Sequence, residues 1–318
     1  MKKVLKIILI FFLFIVLSVI ATLAIFLSLK LNKINYENVS VKDIEINEGI
    51  EDELEEYTNI ALLGLDARDD TFANSRSDCI MIISINNKTK DVNIVSIYRD
   101  SYLQIDDIGL DKVTHAYAYG KAPLALSTIN KNLDLNITQY LTINFESVKK
   151  IVDSIGGVSI TLTSAEAARI PGITSAGTYN LNGEQALTYG RIRKIDNDYV
   201  RTERMRNVLI KIFEKAKTFN YIRLNNLIDK LLPSVSTNIT RGKMLSYASK
   251  INQYKIKSNF GWPYQVRGIT LNAWYAVPVT LEENVAKLHK DIFNDEEYEA
   301  SKTVKEISNR IIEKTGYK

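Results

Sequence analysis

The chain has 318 residues, is 46% hydrophobic and carries a formal net charge of +4. That length supports one large domain or two small ones, and so weak a global charge gives no reason to expect a nucleic-acid partner. A single cysteine, Cys79, excludes an intrachain disulfide, and two distant histidines, His115 and His289, leave no zinc cluster of the usual spacing.

Residues 7–29 form an uncharged apolar run of 23 residues. As a helix this run reaches roughly 35 Å, enough to cross a bilayer with some tilt. Lys2, Lys3 and Lys6 precede it, so residues 1–6 are expected in the cytoplasm and the chain beyond the run outside it. Lys30 and Lys33 reduce that asymmetry. A cleaved signal peptide is the alternative, with a shorter apolar core, and it puts the bulk of the chain on the same side. Residues 30–57 turn polar and acidic and read as a linker; residues 58–318 read as one globular unit.

Within that unit, 59–65 (NIALLGL) is a short apolar run and a buried strand. A second strand covers 79–85 and a third 92–97, joined by the polar turn at 86–91 into a hairpin. Cys79 is expected as a small buried apolar residue of the second strand. Helical patterns follow at 112–119 and 124–133, and His115 falls in the first as a structural histidine. A strand is expected at 139–145, a helix at 147–155 and a strand at 158–162. A short helix is expected at 182–189. A long amphipathic helix covers 200–219, with Met205, Leu209, Ile212 and Phe213 on its apolar face. Hairpin strands and strands alternating with helices predict an α/β fold, a mixed sheet covered by helices on both faces.

The charged residues converge by simple topology. The first strand ends at Asp66 and the second begins just after Asp78. With no helix between them the two strands are antiparallel, which puts both aspartates at one sheet edge. The third strand returns to that edge and delivers Arg99 and Asp100. Arg68 and Arg76 lie in the same region. Carboxylates among guanidiniums suit a magnesium–phosphate complex, because Mg²⁺ takes one or two carboxylates, waters and phosphate oxygens. Strand-end turn chemistry is the plainer reading of the aspartates.

A second cluster, Arg191, Arg193, Arg201, Arg204 and Arg206, falls in the run YGRIRKIDNDYVRTERMRN. Arg201 and Arg204 share a helix face near an N-terminus, which favours anions. Arg191 and Arg193 alternate in an extended segment and point the same way. The arginine fork fits phosphate oxygens in a bidentate way. A solvated basic face paired with Asp196, Asp198 and Glu203 explains the same residues without a ligand.

The ordered series LLGLDAR, SRSDCIMIISIN, SIYRDSYLQI, KVTHAYAYG, GTYNLNGEQALTYGRIRK and DYVRTERMR, running over 59–219, resembles the LytR-CpsA-Psr family. VSTNIT, a following helix and YAVPVT resemble the completion of the same fold. The resemblance implies a single-pass plasma-membrane protein with an extracellular catalytic domain. It implies transfer of a glycopolymer (teichoic acid, capsule or a related polymer) from a polyprenyl-pyrophosphate carrier to a muramic acid hydroxyl of peptidoglycan, forming a phosphodiester. By position, Asp66 and Asp78 resemble the family's magnesium-linked aspartates, with Mn²⁺ as an alternative metal. Arg76, Arg99, Arg191, Arg193, Arg201 and Arg204 resemble its pyrophosphate-binding arginines, Arg76 and Arg99 with a catalytic share, and Asp100 belongs to the same RD pair. Met205 stands where glutamine is common, and Tyr98 where proline is common. The prenyl chain needs a greasy groove, for which Leu124, Leu126, Ile129, Val148 and Ile151 are candidates. Competing readings are a lipid-pyrophosphate hydrolase, a transcriptional attenuator, as the older family name suggests, and a non-catalytic wall-binding module.

Overall fold

The computed structural model describes residues 35–36, 39, 41–66, 75–193 and 195–318. The tail and anchor expected at 1–29, and Arg68, lie outside the described residues. Among the described residues no helix is long and apolar enough to cross a membrane.

The strands in chain order are β1 (Asn35–Tyr36), β2 (Tyr57–Leu65), β3 (Ser77–Asn86), β4 (Asp91–Ile97), β5 (Tyr102–Ile105), β6 (Gly109–Lys112), β7 (Gln139–Asn144), β8 (Val158–Leu162), β9 (Gly177–Leu181), β10 (Val235–Thr237), β11 (Lys255–Trp262), β12 (Val266–Thr270) and β13 (Trp274–Pro278). The α-helices are α1 (Ile50–Glu53), α2 (Val113–Leu133), α3 (Phe145–Ser154), α4 (Ser164–Ala167), α5 (Gly183–Arg191), α6 (Asp198–Ala216), α7 (Tyr221–Leu231), α8 (Arg241–Ser249), α9 (Leu281–Phe293) and α10 (Lys302–Thr315). Seven strands make the central sheet in the order β1-β10-β7-β2-β3-β4-β11. It is mixed: β2 runs antiparallel to β3 and β3 to β4, while β7 is parallel to β2 and β11 to β4.

Alternation along the strands builds two cores, one on each face. Ala61, Leu63 and Leu65 of β2, with Ile80 and Ile82 of β3, pack with α2, α9 and α10. Ile60, Leu62, Met81 and Ile94 face the other way, where Met205, Leu209 and Phe213 of α6 cover them. A third core holds the β8–β9 hairpin against α3, α5 and α6, through Val152, Val158, Ile160, Leu181, Ala186 and Val208.

The linker expected at 30–57 already joins the central sheet at β1, and from residue 41 on it packs into the folded unit. Ile44, Ile50 and Leu54 are buried in the main core among their acidic neighbours. The Glu45 N–H donates to Ser127 Oγ at 2.9 Å, and Asn47 Nδ2 donates to Asp134 Oδ1 at 2.5 Å. Isolated apolar residues in an acidic stretch gave no periodic signal. The β5–β6 hairpin also carries too short a pattern to be predicted.

One buried ion-pair cluster fixes α6 on this frame. Arg204 is 3% exposed. Its Nε donates to Glu166 Oε1 at 2.7 Å, and its Nη1 and Nη2 pair with Asp196. Glu166 is held in turn by Thr163, whose N–H and hydroxyl donate to Oε2 at 2.9 and 3.0 Å in a capping box opening α4. Burial pushes the Glu166 pKa up, but Arg204 and Thr163 outweigh it and hold the carboxyl below its usual range. Arg206, on the same helix, is anchored to Ser96 and Asn259 at 3.0 and 3.1 Å.

On the opposite face His289 is buried, stacked on Tyr298 at 3.8 Å, with Nε2 2.9 Å from the Leu133 carbonyl. Burial lowers its pKa below the ordinary 6.5, against the raising effect of that carbonyl and of Asp134.

Two outcomes follow from these buried groups. Glu166→Ala leaves Asp196 as the one carboxylate on Arg204 and lowers stability by about 1.5–3 kcal/mol, the worth of hydrogen bonds to a charged group, as read by chemical denaturation. The folded state binds the His289 proton less readily than the unfolded chain, so its contribution is complete above about pH 6.5 and is lost as pH falls below that value. The melting temperature of the wild type should therefore drop between pH 7.5 and 5.5, and His289→Gln should flatten that drop.

Candidate active site

The β2–β3 register makes the site possible. Leu65 pairs with Ser77 and Gly64 with Cys79, so Asp78 is an extra, bulged residue between them. A bulge re-aims a side chain that strict alternation would send elsewhere. The N–H groups of Asp66 and Asp78 both donate to the Arg76 carbonyl, at 3.4 and 3.1 Å, which fixes the two aspartates side by side.

Asp66, Asp78, Arg191, Arg193 and Arg201 line a single cavity with Cys79, Phe145, Gly190, Thr202 and Met205. These come from the ends of β2 and β3, the start of α3, the end of α5 and the first turns of α6. Asn182 caps α5 with Gln185, and Asn197 caps α6 through the N–H groups of Tyr199 and Val200. Gly190 lies where α5 meets α6 in close contact, and a Cβ there would displace the Met205 sulfur. Arg191 lies over the Phe145 ring at 4.3 Å. Among the described residues neither Arg191 nor Arg193 has a carboxylate partner.

Arg99 stands behind this cavity. Its Nη1 donates to Asp78 Oδ1 at 3.1 Å, and its Nε lies 3.4 Å from Asp198 Oδ2 and 3.5 Å from Asp100 Oδ2. Neither of those last contacts has hydrogen-bond geometry, and Arg99 Nε is a buried donor without an acceptor. Asp198 Oδ2 is shared with Arg201 Nη2 at 2.9 Å. Burial would lower the Arg99 pKa, but Asp78, Asp198 and Asp100 raise it overall. Arg201 has the opposite balance. Burial lowers its pKa, Asp198 opposes this, and the like charges of Arg99 and Arg193 lower it further. The cavity is thus short of negative charge, which is the condition for holding an anion.

Two further hollows adjoin it. An open cleft of about 590 Å³ shares Asp66, Arg191 and Arg193 and adds Arg169, Glu184 and Thr188. An apolar cavity of about 210 Å³ shares Cys79, Phe145 and Met205 and runs between the sheet (Leu62, Met81, Leu141, Ile143) and helices α3, α6 and α7. Of the residues expected to form a greasy groove, Val148 and Ile151 line this cavity. Leu126 and Ile129 do not; they are fully buried in the core on the other sheet face, and Leu124 packs against that core.

The sequence-predicted set therefore divides. Asp66, Asp78, Arg191, Arg193 and Arg201 come together, with Arg99 and Asp100 one contact behind. Arg76 contributes its backbone carbonyl, and its side chain is exposed and not among the lining groups. Arg204 does not face the cavity: its guanidinium is taken up by Glu166 and Asp196, so it positions α6 instead. The ion-paired reading of the basic run holds for Arg204 with Asp196 and for Arg201 with Asp198. Phe145, Thr202 and the bridging role of Asp198 were not anticipated; only the i, i+3 spacing of Asp198 and Arg201 hinted at the last. Cys79 has its pKa raised to about 12, by burial foremost, and is no nucleophile at neutral pH. Met205 forms apolar wall where a glutamine would offer a polar group. The Tyr98 N–H donates to the Trp262 carbonyl at 2.9 Å, a bond that proline could not make, and its ring packs on Tyr199 at 4.3 Å.

Comparison with known proteins gives consistent relatives. The polyisoprenyl-teichoic acid–peptidoglycan teichoic acid transferase TagT of Bacillus subtilis (strain 168) is 30% identical over 225 residues, covering 66% of this chain and 70% of that protein. The TagU transferase of the same description from Bacillus cereus (strain AH820) is 36% identical over 193 residues, covering 59% and 63%. The structure of the LytR-CPS2A-psr family protein YwtF (TagT) with bound octaprenyl pyrophosphate lipid superposes with a TM-score of 0.60 at 25% identity, over 76% of this chain and 90% of that one. The family model described as the LytR_cpsA_psr family matches residues 23–291, well over half the sequence, and the chain belongs to the LytR-CpsA-Psr family.

Proposed function

We propose that the protein is a phosphotransferase that moves a glycopolymer from a polyprenyl-pyrophosphate carrier onto a muramic acid hydroxyl of peptidoglycan. The observation that carries this reading is the junction at Cys79, Phe145 and Met205, where a charged, cation-rich cavity adjoins an apolar one. An amphiphile with a prenyl tail, a diphosphate and a glycan has those three chemistries in that order, and the open cleft beyond Arg191 and Arg193 suits the glycan. The names of the relatives, and the octaprenyl pyrophosphate bound by one of them, support the same assignment.

In this mechanism Arg191, Arg193 and Arg201 bind the diphosphate oxygens, while Arg99 holds Asp78 in place. The acceptor hydroxyl oxygen attacks the phosphorus that bears the glycan. The bond from that phosphorus to the bridging oxygen breaks, and polyprenyl phosphate leaves with the bonding electrons. Asp66 or Asp78 accepts the hydroxyl proton. Guanidiniums aimed at the leaving phosphate stabilise charge where it develops, in a partly desolvated site.

A divalent cation fits the donor set. Asp66 and Asp78 offer hard oxygens to one cavity, and among the described residues no group of three or more ligating side chains would complete a metal cage without substrate. This is the pattern of Mg²⁺, with Mn²⁺ as an alternative, which keeps waters and takes substrate phosphate oxygens. When bound it would neutralise diphosphate charge beside the two aspartates. The reading includes an N-terminal membrane anchor at 7–29 that keeps the domain outside the plasma membrane, beside its lipid substrate.

The decisive test incubates the full-length chain in detergent micelles with a prenyl-pyrophosphate glycan and Mg²⁺, with and without peptidoglycan. A joined phosphodiester product supports the proposal; release of free glycan phosphate at the same rate in both arms would make the protein a hydrolase. Arg193→Ala should cost about 3–4 kcal/mol of transition-state stabilisation, the range for losing an oxyanion donor, and a ligase rate equal to wild type removes Arg193 from the mechanism. Leu227→Trp, on the α7 wall of the apolar cavity, should abolish retention of prenyl lipid in native mass spectra without altering the thermal transition.

A further inference from the structure

The KVTHAYAYG segment at 112–120 is not explained by the diphosphate site. Part of it braces that site. Lys112 Nζ pairs with Asp100 Oδ1 at 2.6 Å, and Asp100 Oδ2 faces Arg99. The Thr114 N–H donates to the Arg99 carbonyl at 3.1 Å, and its hydroxyl donates to the Ser77 carbonyl at 3.0 Å. The start of α2 is therefore bolted to both strand ends that carry Asp78 and Arg99. Tyr117 is core.

Asp111, His115 and Tyr119 instead meet one another, with Asp111 Oδ1 accepting from the Lys112 N–H at 2.7 Å. The Tyr119 hydroxyl donates to Asp111 Oδ2 at 3.1 Å, and His115 Nδ1 lies 2.9 Å from the same oxygen. The two rings meet edge to face at 6.0 Å. Tyr119 is nevertheless 53% exposed. Directly after it the helix breaks: Gly120 and Lys121 leave helical geometry, and Lys121 takes φ 57°, ψ −154°. A Cβ on Gly120 would lie 2.5 Å from the Leu124 Cβ. Lysine rarely adopts that backbone conformation, and such outliers gather at active sites and ligand clamps.

We infer that Asp111, His115 and Tyr119 form a subsite for a sugar ring of the acceptor glycan, joined to the Arg99–Asp78 centre through the Lys112–Asp100 and Asp100–Arg99 ion pairs. The apolar C–H face of a hexopyranose packs on an aromatic face, because the ring's negative π-cloud meets weakly positive hydrogens. Sugar hydroxyls donate to a carboxylate and accept from an imidazole N–H. Asp111 suits the first role: burial works to raise its pKa, but His115, the Lys112 N–H and Tyr119 hold it below its usual range, so it stays an ionised acceptor. The inference rests on the transfer reaction proposed above, in which a glycan hydroxyl must be brought to the diphosphate.

The test uses the full-length protein in micelles, a prenyl-pyrophosphate glycan donor and a soluble peptidoglycan oligosaccharide as acceptor. Tyr119→Ala and Asp111→Asn should each raise the acceptor KM about tenfold, the worth of one strong polar contact. kcat should change little, and lipid retained in native mass spectra should match wild type. Tyr119→Phe, which keeps the stacking face, should recover most of the loss of Tyr119→Ala. An unchanged acceptor KM in both variants overturns the subsite, and so does a loss of lipid retention that parallels the KM change. Failure of the transfer reading looks different: wild type then yields no joined product, while Tyr119-dependent binding of the oligosaccharide, measured by calorimetry, persists.

Discussion

The buried guanidinium of Arg204 is the constraint around which the active region is arranged. A charge so deeply placed must be matched, and it is matched by two carboxylates from separate parts of the chain, Glu166 of α4 and Asp196 of the loop before α6. Glu166 ties α6 to the β8–β9 layer. Asp196 fixes the connection between α5 and α6, and with it the place of Arg193. With Arg204 turned into this cluster, Arg201 on the preceding turn is left for the cavity. The same contacts occupy acids that would otherwise neutralise the site, so Arg191 and Arg193 keep their charge for a ligand.

Asp198 plays the complementary part from within. One of its oxygens serves Arg99 and Arg201 together, which holds two like charges near each other before any phosphate arrives. Behind them Asp100 joins Arg99 to Lys112. Positive and negative groups alternate from the cavity out to α2, and each is oriented by the next. The apolar cavity differs in kind: its wall is sheet residues facing away from the main core, roofed by three helices, and it meets the charged region only along Cys79, Phe145 and Met205.

Much of this was readable from the residues because it depends on local pattern. The hairpin of β3 and β4 followed from one polar turn, and the convergence of Asp66, Asp78 and Arg99 followed from strand direction alone. What failed to show depended on long-range pairing. Nothing near Arg204 in sequence marks Glu166 as its partner 38 residues away. The apolar residues of the greasy groove were misassigned in part because both sheet faces are buried. Leu126 and Val148 look alike in a pattern, and only topology says which face each helix covers. The acidic stretch after residue 40 masked Ile44, Ile50 and Leu54, since scattered apolar residues there have no period to betray them.

That last feature bears on how far the domain can stand from a bilayer. A long acidic stalk would have let the catalytic unit roam. Instead the chain is already pinned at Asn35–Tyr36, where β1 adds to the sheet edge beside β10. With residues 7–29 in the membrane, as the sequence predicts, five residues separate the end of the span from that strand. Six extended peptide steps, from residue 29 to residue 35, cover at most about 22 Å. If the proposed anchor at 7–29 spans the membrane, a leash of that length would keep β10 and its neighbours close to the headgroups, and the fold would set the height at which lipid-borne cargo is reached.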